Sequence, residues 1–255
     1  MAAAGSATKF YFVEEVNGEI PSSPTFTPIR FNTTSLSRNT AQVESNEINQ
    51  SRQRSVAKQG TYSTQGEIVS ELSHGSFNDL LAIFMQQSAW DTNTLKVGST
   101  VRTVAILKRH TDLTVALTAN DISAAGTDDS FSSASSAFKF KVGDFVVVSG
   151  FTTPGNNGTF KVATASAAKI TVTNADGTAA STIADEAAGD SVTITAYDDT
   201  IYRGCRLNTL AVSADIDARV TFTFGVIGTE AAPYAVPADA SFSSATTTEP
   251  MVTSI

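Results

Sequence analysis

A single cysteine, Cys205, among 255 residues excludes an intrachain disulfide and a cysteine-based zinc site. Two histidines, His74 and His110, are too few for a histidine-rich metal centre. Cationic side chains are scarce, 17 Lys and Arg against 25 Asp and Glu, and the net charge of −8 argues against a general nucleic-acid binder, which needs a basic face. Charged residues make up only 16% of the chain, and Ser, Thr and Ala fill the shortfall, a composition suited to half-buried strands rather than charged amphipathic helices. Long apolar runs are missing: the longest is Leu80 to Met85, far short of the roughly 20 residues a bilayer requires. Met1 to Ser6 shows neither a basic nor an apolar leader segment, so the chain is expected to be made and folded in a cytoplasm.

The absences extend to catalytic motifs. No two of the 16 glycines stand two apart, so neither a dinucleotide fingerprint nor a kinase glycine loop exists. No phosphate-binding loop and no nucleophile elbow occur. Serines are abundant, but nothing selects one for a Ser/His/Asp triad. His74 precedes a helix start and His110 ends a strand, and both read as surface residues. Asp215-Ile216-Asp217, Asp128-Asp129 and Asp198-Asp199 have the carboxylates for a cation but read as solvated turns. Arg203 and Arg206 flank Cys205 and could lower its pKa, yet a plain strand cysteine is the simpler reading. Lys141-Val142-Gly143-Asp144 followed by Val146 and Val148 resembles small barrels that bind nucleic acid, but its acidic surroundings oppose phosphate contact. No cofactor, metal or catalytic set emerges.

What is present is strand patterning. Phe10 to Val13 is aromatic and β-branched, followed by the turn dipeptide Asn17-Gly18. Pro21, Pro24 and Pro28 mark a link that cannot be a central strand, before strand signals at Ile29 to Phe31. Ser37 to Lys58 is polar, carries both signs of charge, and predicts a long exposed loop or extended hairpin. Thr61 to Leu72 alternates as a strand. Ser76-Phe77-Asn78-Asp79 predicts a capping box, with the helix face Phe77, Leu80, Leu81 and Phe84 turned to the core. Val101 to Leu107 is a further strand.

From Thr111 to Thr200 the character changes: eleven acids face four lysines, a net −7, while the rest of the chain is close to neutral. Ser123 to Ser136 reads as a flexible loop, and the remainder as short strands, predicting a small all-β unit inserted whole. Arg206 to Ser213 and Arg219 to Ile227 then predict a hairpin. Val220, Phe222, Phe224 and Val226 occupy its core face, and Thr221, Thr223 and Gly225 the other. Residues 229–255 are expected to form a flexible C-terminal tail.

Several of these segments together resemble a known family. They are Phe26 to Phe31, Ser35-Leu36, Val43-Glu44-Ser45-Asn46-Glu47-Ile48, Arg52-Gln53, Glu67-Ile68 with Glu71-Leu72, Gly75 to Leu81, and Phe222 to Gly228. Over about residues 10–112 and 200–228 the chain resembles the tail tube (major tail) proteins of long-tailed, non-contractile bacteriophages. The block 111–200 is the departure from that pattern. The resemblance implies two packed antiparallel sheets with one flanking helix, formed by residues 1–110 and 201–228; the block 111–200 is expected, from its own strand pattern, to be an inserted all-β domain, and to face outward because the channel of a tube has no room for such a module in every subunit. It implies hexameric rings stacked into a tube around a tape measure protein, bounded by tail terminator and tail tip proteins. Double-stranded DNA then passes through without specific contact, no membrane is involved, and the site is the virion tail, assembled in the host bacterial cytoplasm.

The family's long loop contacts the adjacent ring, which here points to Glu44, Glu47, Arg52 and Arg54 as inter-ring charges. The channel wall must avoid dense Lys and Arg, which points to Thr221 and Thr223, with Asp215 and Asp217 at a channel-side or rim turn. Two other readings stay open at this point: a monomeric β-sandwich binding module of adhesin or carbohydrate-binding type, and a hydrolase with a dispersed triad.

Overall fold

The computed structural model describes residues 7–44, 57–237 and 239–253. In chain order the first strands are β1 (Thr8–Glu14), β2 (Thr25–Ile29), β3 (Thr33–Thr34), β4 (Ser37–Val43) and β5 (Lys58–Glu71), followed by helix α1 (Asn78–Phe84). Then come β6 (Val104–Ala119), β7 (Ile122–Ala125), β8 (Ser130–Ser133), β9 (Phe145–Ser149), β10 (Gly158–Ala165) and β11 (Lys169–Asn174). The last are β12 (Val192–Ser213), β13 (Thr221–Gly228), β14 (Glu230–Pro233) and β15 (Ser241–Phe242). The chain is mainly β, as expected, and α1 is the one α-helix among the described residues.

The 22-residue strand β12 joins everything else. Its first part pairs antiparallel with β6, from Val192 opposite Ala119 to Cys205 opposite Val104. The register shifts between Tyr202 and Cys205, where Gly204 takes φ +61° and donates its amide to a Glu15 carboxylate oxygen at 3.0 Å. A left-handed residue there lets the strand leave one ladder and enter another. Past this point Arg206 to Ser213 pairs with β13, and β13 pairs with β5.

The two ladders enclose a shared core. Phe10, Phe12, Val104 and Ile106 come from one side, Ile68, Phe222, Phe224 and Val226 from the other. Helix α1 closes it with Phe77, Leu80 and Ile83. Strand β6 is buried on both faces at its start: Val104, Ala105, Ile106 and Leu107 are all fully excluded from solvent. Ala105 and Leu107 face a second, smaller cluster with Val13, Phe26, Ile201 and Val236. A third cluster lies wholly within residues 115–196, around Phe131, Phe138, Phe140, Phe151 and Phe160. Strands β6 and β12 run from that cluster into the other two.

Four local expectations are corrected. The helix begins at Asn78 with no side-chain cap; Ser76 Oγ instead bonds Ser73 Oγ at 2.5 Å and the Thr246 hydroxyl, and Arg30 holds Ser73 in turn at 3.0 Å. The buried helix stripe runs through Phe77, Leu80 and Ile83; Leu81, half-buried, packs against the same core, while Phe84 is half-buried at the helix end. Ser123 to Ser136 is not a loop but mostly the β7–β8 hairpin, with Ile122 and Phe131 fully buried and Asp129 at φ +48° in the turn. Small serines let it pack tightly, and Asp121 accepts hydrogen bonds from Ser133, Ser135 and Ser136.

The fourth correction is the C-terminal segment. Strand β14 pairs with β12, burying Ala231, and β15 pairs with β2, while Met251 and Thr253 donate amides to Leu72 and Ala218 carbonyls. Its Ser/Thr/Pro content hid the apolar Ala231 and Val236, which anchor it. Pro28 lies in β2, where pairing with β15 has already ended at Phe26, so its missing amide leaves no ladder bond unmade on that side.

Candidate assembly surfaces

Three surfaces stand out among the described residues. Among the described residues no group of three His, Cys, Asp or Glu side chains is close enough to hold a metal ion. Burial, reinforced by the charge of Glu15, pushes the Cys205 thiol up to about 12, so it carries no reactive thiolate at neutral pH. His74 is exposed, and His110 Nδ1 lies 2.9 Å from the Thr8 hydroxyl.

The first surface is an arm. Strand β4 pairs with the first half of β5, from Ser37 opposite Gln65 to Val43 opposite Lys58, and every residue of β4 is exposed. Its base is fixed: Arg38 donates to the Ala231 carbonyl at 3.2 Å, and its guanidinium covers the Tyr62 ring at 3.8 Å. Farther out, none of the described residues from Asn39 to Glu44 is buried, and Val43 is 61% exposed. A two-stranded ribbon alone is marginal in water. Of the residues expected to carry inter-ring charge, Glu44 is exposed at the end of β4, while Glu47, Arg52 and Arg54 lie outside the described residues.

The second surface is the open face of the β12–β13–β5 ladder. Phe222, Phe224 and Val226 are buried, and Thr221, Thr223 and Gly225 project to the other side, as their alternation predicts. Register brings further residues beside them. Thr221 lies between Ser213 and Glu71, Thr223 between Ala211 and Val69, and Gly225 between Thr209 and Glu67. The face is therefore small-sided with two carboxylates, and Arg219 at its end pairs with Glu71 at 3.3 Å. Thr221 and Thr223 are half-buried within this ladder. Asp215 and Asp217 are exposed in the β12–β13 turn, with Asp217 at φ +56°. Sequence reasoning missed Glu67 and Glu71. The signal was available, because they occupy the parity opposite Ile68 in an alternating strand, but only cross-strand register places Glu67 beside Gly225 and Glu71 beside Thr221.

The third surface is the exterior of the acidic block. Several of its carboxylates are tied into its own loops. Glu186 accepts from the Thr152 and Thr153 amides at 2.8 and 3.1 Å and from Asn156 at 2.7 Å. These bonds, against the opposing effect of burial, hold its pKa down at about 2. Asp128 pairs with Lys169 and accepts from Ser130. Where this block meets the rest, Arg109 and Asp199 form a buried bidentate pair at 2.8 and 2.6 Å. The guanidinium lies between the Tyr197 and Phe242 rings, 4.1 and 4.6 Å from their centres.

A family model described as phage tail tube protein matches residues 5–255, including the acidic block. No curated protein matches the chain.

Proposed function

This chain belongs to the phage tail tube protein family, a structural component of the virion tail, and from that premise we propose that it self-assembles into stacked hexameric rings whose channel conducts the genome at ejection. The observation that carries the reading is the β4–β5 arm: a ribbon held at its base by Arg38, with every residue of β4 exposed, suits a neighbour's surface. In this reading Glu44, Glu47, Arg52 and Arg54 pair across rings, each contact worth up to about 1 kcal/mol when exposed but repeated around every ring. The open ladder face with Thr221, Thr223, Glu67 and Glu71 lines the channel. Small neutral groups and carboxylates offer few counterion-releasing phosphate contacts, so DNA slides. Asp215 and Asp217 lie at its rim.

Residues 1–110 and 201–228 build the tube, and 111–200 faces outward, because a channel has no room for such a module in every subunit. The tube surrounds a tape measure protein and is bounded by terminator and tip proteins, and it assembles in the host cytoplasm. The role is structural and non-enzymatic.

Electron microscopy of the purified protein tests this. Rings and tubes are expected, and compact single particles at all concentrations would refute it. Deleting residues 42–55 should leave folded subunits that make no long tubes; normal tube lengths would remove the arm from the interface. A tube cross-section with Thr221 and Thr223 buried between subunits, or with 111–200 filling the channel, would overturn those placements.

A further inference from the structure

The outer edge of β2 is covered by a segment that fits it closely yet lies exposed at the surface. Strand β15 pairs parallel to β2 for two residues, Ser241 opposite Thr25 and Phe242 opposite Phe26. The Ser241 and Ser243 amides donate to the Pro24 and Phe26 carbonyls, both at 2.9 Å. Ser23 donates to Asp239 at 2.5 Å, and the Thr25 and Ser241 hydroxyls meet at 2.9 Å. Phe242 stacks on Phe26 with ring centres 5.3 Å apart and meets Tyr11 edge-on at 4.9 Å. The groove is thus complementary to this particular sequence.

The segment nevertheless lies at the surface, with Phe242 also packed on the Arg109 guanidinium at 4.6 Å. Residues 241–249 are all exposed, Phe242 included at 37%. Beyond Ser243 the segment is fastened through Thr246 to Ser76, through the Thr248 carbonyl to Arg30 at 2.6 Å, and through backbone bonds near its end. A cleft of about 600 Å³ remains beside it, lined by Phe10, Tyr11, Ile29, Phe31 and Ser243 to Ala245.

We propose that residues 239–253 are exchanged between subunits on assembly, so that the segment of one copy lies on the β2 edge of the next. The occupant is the same segment from a second copy of this chain, because the groove already displays every contact that recognises it. Exchange reproduces those contacts in trans, so it costs no recognition chemistry and links neighbours. In a free subunit the tether keeps the local concentration high and the groove filled in cis, which also shields the edge from premature pairing. In a tube, subunits held side by side bring the competing copy to a comparable local concentration.

This inference rests on the assembly reading, and one experiment separates the two. Full-length protein carrying Thr25→Cys and Ser241→Cys, both at exposed positions, is assembled under reduction and then oxidised; Cys205 is buried and does not compete. One half is imaged and the other run on a non-reducing denaturing gel. Tubes with a ladder of covalent multimers are the expected result. Tubes with only a single-chain band overturn the exchange and leave the assembly reading standing. No tubes from the variant or from the unmodified protein refutes the assembly reading, and the exchange with it. Thr25→Cys alone should give no ladder, and a ladder from it would overturn the proposal. Oxidising the double variant before assembly should keep subunits separate until reductant is added; undiminished tube growth from fully bridged chains would also overturn it.

Discussion

Replacing Asp199 by Ala leaves the Arg109 guanidinium where it is, 11% exposed, with no counter-charge. Both of its carboxylate bonds are lost, leaving it between the faces of the Tyr197 and Phe242 rings, 4.1 and 4.6 Å away. Removing one partner of a buried pair costs about 3–5 kcal/mol, mostly the penalty of the charge left behind. For a chain of this size each kcal/mol lowers Tm by roughly 2–4 °C, so a drop of about 6–20 °C is expected in thermal denaturation followed by circular dichroism. The double replacement Arg109→Met with Asp199→Leu removes both charges and should return within about 1 kcal/mol of the parent, or exceed it. Arg219→Ala gives the scale of a more open pair. Arg219 and Glu71, 3.3 Å apart, are 49% and 30% exposed, and a loss of about 1 kcal/mol or less is expected. If Asp199→Ala costs no more than Arg219→Ala, or if the double variant is as unstable as the single one, the reasoning from desolvation is wrong.

Acid should loosen the 111–200 block. Hydrogen bonds hold Asp121, Asp176 and Glu186, and Lys169 with Ser130 holds Asp128, below their ordinary carboxylate values. A folded-state pKa below the unfolded one gives stability that is complete above the ordinary carboxylate range and fades as pH falls through the folded values. Amide signals of the block should therefore lose dispersion between about pH 4.5 and about 2, the ordinary and folded values for Glu186; unchanged signals across that span would refute it. Gly66→Ala places a Cβ 2.5 Å from the Leu36 backbone at φ +156°, and overpacking of this kind should cost about 1–3 kcal/mol in denaturant titration. Gly18→Ala, with φ +80° but nothing within 4 Å of its Cβ, should cost less.

Much of this architecture was legible because it is written in alternation. The β13 pattern of Phe222, Phe224 and Val226 against Thr221 and Thr223 states which face is core before any partner is known, and the polar stretch after Ser37 could not be a buried strand. Residues 229–253 were not legible in the same way, since Ser, Thr and Pro suit both a free tail and a segment fastened by hydroxyls. The β7–β8 hairpin failed similarly: serine weakens the apolar contrast, and only Ile122 and Phe131 mark it. The buried Arg109–Asp199 pair is invisible locally, because Asp198-Asp199 reads as a solvated turn until β6 lies beside it. Glu67 and Glu71 needed the register of a strand some 150 residues away, and register is a property of pairing rather than of either segment.

The β6–β12 ladder carries a consequence for the order in which the chain folds. Its innermost pair joins Ala119 to Val192, and its outermost joins Val104 to Cys205. Everything between is the 115–196 cluster, whose strands mostly pair with near neighbours in sequence. Loop-closure entropy opposes pairing β6 with β12 across an unstructured stretch. Once the enclosed strands condense, the stems emerge side by side and the ladder can zip outward from Val192 to Cys205. The acidic block would then act as the nucleus for the strands that flank it. Pulsed hydrogen exchange during refolding should protect the Val146 and Val162 amides before those of Phe222 and Phe224; the reverse order would mean that the outer ladder closes first.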